Sequence, residues 1–176
     1  AVDVAVESQV AAVFQEIRGA EGRVDLLVNN VGNYDPKHIT KLDPAGWDAT
    51  LASNLSGAFY CCYHALELMT QGGNVINIGM AGLEGIRANV YGTDYFVSKT
   101  GLLVLTRALA SAYAKQNIRV NMVSPGQLDN SIDLPPPHEI GRSAPLGWAG
   151  SLQDVAQAVD YLLDATYVTG VNIDVS

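Results

Sequence analysis

The sequence predicts an α/β protein built on a doubly wound parallel sheet. Three observations predict it. Short β-rich runs alternate with longer stretches of helical period, in the order that covers a parallel sheet on both faces. Helix-capping and turn residues fall at the junctions between them. The residues following the first three strand-like runs, "NNVGNYDP", "GMAGLEG" and "PGQLDNS", are rich in Gly, Pro, Asn and Asp, as backbone that closely approaches a ligand at the carboxyl rim of such a sheet would be.

In chain order, residues 7–18 carry a helical period and "VDLLVNN" (24–30) reads as the first strand. Asp43 followed by Pro44 is an N-cap with proline at the first helical position, opening a helix expected to run over 44–69 until "QGG" stops it. The next strand is "NVINIG" (74–79), followed by a helix over 91–115 and a third strand, "IRVNMVS" (118–124). Residues 127–150, with three consecutive prolines and no clear period, read as a long surface loop of the lid or binding-loop kind. "SLQD" has the spacing of a capping box and starts a helix over 153–163, before the last strand, "VNIDVS" (171–176).

The chain has 176 residues, of which 48% are hydrophobic and 16% charged, enough apolar content to bury one domain core. Its net charge of -8 and lack of a basic cluster exclude the phosphate-backbone attraction that holds nucleic acid. No apolar run is long enough for a membrane span, and no basic segment leads into an apolar one at the start. The two cysteines, Cys61 and Cys62, are adjacent, a spacing that strains a disulfide; free thiols fit the cytoplasm.

"YGTDYFVSK" places Tyr95 and Lys99 one helical turn apart, so both side chains can face one ligand. A phenol titrates about three units above neutrality, and a nearby ammonium favours its anion. Lysine is therefore the partner a tyrosine acid needs. With eight tyrosines in the chain, the pair alone is a weak motif, and Tyr91 and Tyr95 on a common face could simply pack.

Five motifs in order carry a more specific signal: "LLVNNVG", "NLSGAF", "YFVSK", "IRVNMVSPG" and "YVTGVNIDV". Together they resemble the short-chain dehydrogenase/reductase family over nearly the whole chain. The resemblance implies a single Rossmann-type domain spanning 1–176 and a nicotinamide-dependent oxidoreductase using NADP or NAD. It implies that Tyr95 donates a proton to a substrate carbonyl and that Lys99 tunes Tyr95 and bonds the nicotinamide ribose. Asn54 would hold, through its main-chain carbonyl, a water linking Lys99 to solvent. Asn30, Val31 and Gly32 would lie along the ribose and phosphates. Pro125, Gly126 and Leu128 would border the nicotinamide, Asn130 the pyrophosphate, and Asp3 and Val4 the adenine.

Two departures qualify the resemblance. Met80 stands where the family usually has a serine that hydrogen-bonds the substrate oxygen, and a thioether donates no hydrogen bond. Tyr91, one turn before Tyr95, is a candidate substitute, with packing as the other reading. The family's opening strand and Gly-rich turn have no counterpart before "VDLLVNN". The expectation is therefore a fragment of a longer protein, incomplete at the N-terminus, with that strand as an exposed edge.

Tyr34, just past the nucleotide turn, and the loop "SPGQLDNSIDLPP" resemble pteridine reductases, where an aromatic stacks on the pterin. The 3-oxoacyl carrier-protein reductases are the other near group. The expected substrate is a small carbonyl or pterin-like molecule, bordered by Tyr34, Met80 and Tyr91. A helix apolar on more than one side over 100–114 suggests a homo-oligomer, a tetramer by family resemblance. The alternative to catalysis is a binding or regulatory relative that kept the fold, a reading that Met80 favours and the Tyr95, Lys99 and Asn54 set opposes.

Overall fold

The computed structural model describes residues 1–85, 89–131, 144 and 146–176. Four strands, β1 (Leu26–Asn29), β2 (Gly73–Ile78), β3 (Ile118–Pro125) and β4 (Asn172–Val175), form one sheet in the order β1-β2-β3-β4. All three pairings are parallel, so each connection must cross over a face of the sheet, and helices supply the crossovers.

Strand alternation sorts the side chains between two layers. On one face, Val75 and Val120 are buried with Val10 and Phe14 of α1 (Glu7–Ala20), Cys62, Ala65 and Leu66 of α3 (Gly57–Leu66), and Ala110 of α4 (Thr93–Tyr113). On the other, Ile76 and Val123 are buried with Leu162 of α5 (Leu152–Asp164). This is the doubly wound α/β arrangement the alternation predicts. Among the described residues β1 pairs only with β2, and its apolar Leu26 and Val28 remain exposed, as the expected edge strand would be.

A buried polar row crosses the first face. Asn29 and Asn77 are register partners on β1 and β2. The Asn29 amide donates to Asn77 Oδ1 at 2.8 Å and to Cys62 Sγ at 3.3 Å, and the Asn77 amide donates to Thr106 Oγ1 at 2.8 Å. The row ties α3, both strands and α4 together, with each buried group given a partner. Burial pushes the Cys62 thiol up to about 12 and raises Cys61 as well; both cysteines are free.

The expected caps are present. Asp43 accepts from the Gly46 N–H at 2.7 Å at the start of α2 (Pro44–Leu51), and Ser151 and Asp154 form a reciprocal capping box on α5. Three expectations need correction. The helix expected over 44–69 is broken: α2 gives way to a π turn, Ala52–Ser56, before α3, which ends at Leu66. Where α3 begins, Gly57 abuts Val4, whose Cγ2 would lie 2.8 Å from any Cβ added there. The helix expected from 91 starts at Thr93, because Tyr91 is bridged to His38 and the Gly92 N–H donates to the Lys37 carbonyl. The loop over 127–150 is not wholly irregular: Leu128 is bridged to Gly150, while its proline run lies outside the described residues.

Candidate active site

Helix α4 begins at the carboxyl rim of the sheet without a side-chain cap; Gly92 precedes it with φ of 62°. Its first turns carry the two residues of interest on one face. Tyr95 is half-buried, and the Lys99 ammonium lies 5.7 Å from the centre of the Tyr95 ring. Lys99 is only 4% exposed. Its Nζ donates to the carbonyl of Ile78, the last residue of β2, at 2.8 Å. Burial pushes the Lys99 ammonium down to about 8, because a low-dielectric surrounding penalises the charged form.

The turn after β1 closes over this ammonium. Asn30, Val31, Gly32 and Asn33 are all exposed, yet a Cβ added at Gly32 would lie 3.0 Å from Asn54 Oδ1 and 3.5 Å from Lys99 Nζ. Glycine there leaves backbone and ammonium facing the same space, as a ribose-binding cradle requires. Asn54, within the π turn and 1% exposed, fixes the turn. Its Oδ1 accepts from the Asn33 N–H at 2.7 Å and its Nδ2 donates to the Asn33 carbonyl at 2.8 Å. Nδ2 also lies 3.2 Å from Ser98 Oγ, which donates to the Tyr95 carbonyl at 2.7 Å. One buried amide thus joins the turn after β1 to the turn of α4 that bears Tyr95 and Lys99.

A cavity of about 90 Å³ beside this turn is lined by Val4, Asn30 and Val31, with Gly57 and Cys61 behind them. On the other side, the turn after β3 leans on the segment after β2: the Pro125 carbonyl accepts from the Ala81 N–H and the Gly82 N–H donates to Asp174 on β4. Tyr34 sets its ring edge to face with Tyr95, centres 5.0 Å apart at 65°, and packs on Gly92.

A family profile described as enoyl-(acyl carrier protein) reductase matches residues 1–176. The chain is 35% identical over 172 residues to carbonyl reductase family member 4 of Xenopus laevis, covering 96% of this chain and 72% of that protein. It is 37% identical over 171 residues to the 3-oxoacyl-acyl-carrier-protein reductase of Bos taurus, covering 96% and 71%. A solved short-chain dehydrogenase/reductase of Burkholderia xenovorans superposes with a TM-score of 0.89 at 34% identity, covering 99% of this chain and 71% of that one. The chain belongs to the short-chain dehydrogenase/reductase family. It is an NAD(P)-dependent oxidoreductase by that membership, and the reading of it as a binding or regulatory relative is not favoured.

Against that family frame, the residues nominated from sequence divide into three groups. Tyr95, Lys99, Asn54 and Gly32 converge, with Tyr34 at their edge. Asn30, Val31 and Val4 share one cavity wall, and Pro125 and Gly126 line the opposite rim, where the Gly126 N–H donates to the Val175 carbonyl. The remainder sit apart. The Asp3 carboxylate is taken up by the Ala5 N–H. Leu128 is held by Gly150, and Asn130 stands exposed beyond it with no described contact to Tyr95 or Lys99. Met80 packs against the cluster of Leu83, Leu102, Leu103 and Met122. Tyr91, 54% exposed, sets its ring against His38 at 5.1 Å. Among the described residues no helix is long and apolar enough to cross a membrane, and no acidic, histidine or cysteine cluster could hold a metal.

Sequence reasoning missed three participants. Ser98 links Asn54 to Tyr95; its only signal was its place one residue before Lys99. Asn33 is bound through its backbone, which no side-chain pattern announces. Asp94 is buried beside Tyr95, accepting from Thr50 Oγ1 at 2.6 Å, and so fastens α2 to the first turn of α4.

Proposed function

We propose that this chain reduces the carbonyl of a small substrate, a 3-oxoacyl or pterin-like molecule, with Tyr95 as the proton donor. The observation that carries the reading is the Tyr95 and Lys99 pair held against Gly32. When bound in its reduced form, NADPH or NADH would supply the hydride for the carbonyl carbon and be left as NADP or NAD. As that carbon is reduced, the Tyr95 O–H gives its proton to the carbonyl oxygen, and the Lys99 ammonium favours the resulting phenolate. The Asn54 main-chain carbonyl holds the water through which the proton is restored.

Gly32, Asn30 and Val31 would receive the ribose and phosphates, Val4 and Asp3 would border the adenine, Pro125, Gly126 and Leu128 would border the nicotinamide, and Asn130 the pyrophosphate. Lys99, which here donates to the Ile78 carbonyl, would be the residue to hold the ribose hydroxyls. Tyr34, with Met80 and Tyr91 further out, bounds the substrate. The name of the Bos taurus relative supports a carbonyl in a 3-oxoacyl chain over a pterin.

The protein works in the cytoplasm, where its free thiols stay reduced. It assembles as a homotetramer through helix 100–114, whose Val104 is 64% exposed; Val104→Asp should yield smaller species in sedimentation. The deciding experiment measures NADPH and NADH oxidation by the full chain against acetoacetyl-coenzyme A and a pterin. Turnover lost in Tyr95→Phe supports the reading. Turnover unaffected by that substitution defeats it.

A further inference from the structure

Tyr95 and Lys99 can act on one substrate only if α4 keeps a fixed rotation about its own axis. A turn of about 10° at a side-chain radius of about 5–6 Å carries a group through about 1 Å, and such a misplacement can cost about 10²-fold in rate. We propose that Thr50 and Asp94 are a positioning pair for Tyr95, setting that rotation at the amino end of the helix. The inference deepens the reductase reading and rests on Tyr95 being the proton donor.

Two rungs join the first crossover to α4. Thr50 Oγ1, on α2, donates to Asp94 Oδ2 at 2.6 Å, and Asn54 Nδ2, in the π turn, donates to Ser98 Oγ at 3.2 Å. Four residues separate the rungs on each side, so each segment presents both from one face. All four side chains are buried, Thr50 and Asp94 being 2% and 1% exposed. The rungs fall in register with the site: Asp94 immediately precedes Tyr95, and Ser98 immediately precedes Lys99. What Asn54 does for the turn of Lys99, Thr50 does for the turn of Tyr95.

The chemistry of the first rung suits positioning better than mere attachment. Asp94 Oδ1 is buried with no hydrogen-bond partner, a costly arrangement that an apolar pair joining α2 to α4 would avoid. Apolar contact is non-directional, whereas a hydrogen bond weakens as its angle closes. Direction is what the polar pair adds. Helix α4 has no side-chain cap of its own, and neighbouring bonds act on the residues leading into it: the Gly92 N–H donates to the Lys37 carbonyl, and the Thr93 hydroxyl to the Asn89 carbonyl. Those hold the approach to the helix; Thr50 holds the face that precedes Tyr95.

The test uses the full chain with NADPH and acetoacetyl-coenzyme A. Thr50→Val replaces the hydroxyl with a methyl of similar size, Thr50→Ala opens the rung and leaves room for water beside the carboxylate, and Thr50→Ser keeps the donor. Turnover is expressed per NADPH site, counted by fluorescence titration, so that unfolded molecules do not enter. The expected result is a kcat per site lower by about 10- to 10²-fold in Thr50→Val and Thr50→Ala, NADPH affinity within about twofold, and kcat within about twofold of wild type in Thr50→Ser. A second readout needs no turnover. In protein labelled with ¹³C-tyrosine, the ring resonance missing from Tyr95→Phe should move or broaden in Thr50→Val and keep its position in Thr50→Ser.

Wild-type kcat per site in both hydroxyl-free variants would overturn the inference, as would an equal loss in Thr50→Ser or a Tyr95 resonance unmoved by Thr50→Val. Should Thr50→Val fail to fold, Thr50→Ala is judged on the same measurements. The Tyr95→Phe arm separates failure of the pair from failure of the reading beneath it. Full turnover in Tyr95→Phe defeats the reductase reading itself. Loss in Tyr95→Phe beside full turnover in the Thr50 variants defeats only the role given to Thr50 and Asp94.

Discussion

The two crossovers on the first face of the sheet are built differently. Between β1 and β2 the chain runs through α2, a π turn and α3, and presents Asn54 from the break. Between β2 and β3 it runs through α4, 21 residues without interruption, and presents Tyr95 and Lys99 from consecutive turns. Two side chains that must cooperate one turn apart need regular helical spacing. A residue that must reach sideways, into the backbone of a neighbouring turn, is better served where the spacing is broken, and π turns recur at such places. The unbroken helix carries Tyr95 and Lys99; the broken one sets the backbone they face.

The comparison can be broken most severely at the unbroken helix. Tyr95→Phe should lower kcat for carbonyl reduction by about 10² to 10⁴, the range for a lost general acid, and leave the melting transition within a degree or two of wild type. Turnover and calorimetry on one preparation would reveal both.

At the broken helix the effects should fall on stability as well. Asn54→Ala removes both bonds to the Asn33 backbone and the contact with Ser98, leaving buried groups unpartnered. It should cost roughly 2–4 kcal/mol, read from urea denaturation, and weaken cofactor binding because the Gly32 turn loses its tether.

Lys99→Met sharpens the contrast, since activity and stability should move in opposite directions. The Lys99 pKa is lowered from 10.5 to about 8 by burial, so the fold disfavours the ammonium. That penalty is complete below about pH 8 and is relieved as pH rises from about 8 toward 10.5, because there the unfolded chain binds more protons than the native one. The methionine variant should be more stable than wild type at pH 7 by on the order of 2–3 kcal/mol. The gap should close by pH 10.5 in denaturation series. Its reductase activity should nonetheless fall, and wild-type kcat/KM should decline above about pH 8 as the ammonium is lost.

Smaller effects are expected where the crossovers meet and beyond them. Thr106→Val deprives the buried Asn77 amide of its acceptor and should cost about 1–2 kcal/mol, detectable as a lower denaturation midpoint. Ser151→Ala, in the capping box of α5 on the opposite face, should cost about 1 kcal/mol and leave kcat unchanged. An effect of Ser151→Ala on kcat would mean that the site is not confined to the first face.

The legible features were those written in local chemistry. The capping residues Asp43 and Ser151, the strand runs around Val75 and Val120, and the i, i+4 spacing of Tyr95 and Lys99 all depend on near neighbours, so the sequence carries them openly. The substrate-side assignments were harder to read. Met80 and Tyr91 were nominated from position along the chain, but the direction of a side chain depends on what packs around it. One faces a cluster assembled from four elements and the other pairs with His38, 53 residues earlier in the chain. Ser98 and Asn33 went unnoticed because their partners are distant or are backbone atoms.

By itself, then, the sequence determined a parallel α/β sheet, the caps at Asp43 and Ser151 and the one-turn spacing of Tyr95 and Lys99, because periodicity and capping act over one or two turns. Only the tertiary structure decided where the long helix breaks, which turn lies over Lys99 and which second phenol stands beside Tyr95. Those depend on contacts between distant segments, such as Asn54 on Asn33, whose hydrogen-bonding demands exist only once those segments are in place.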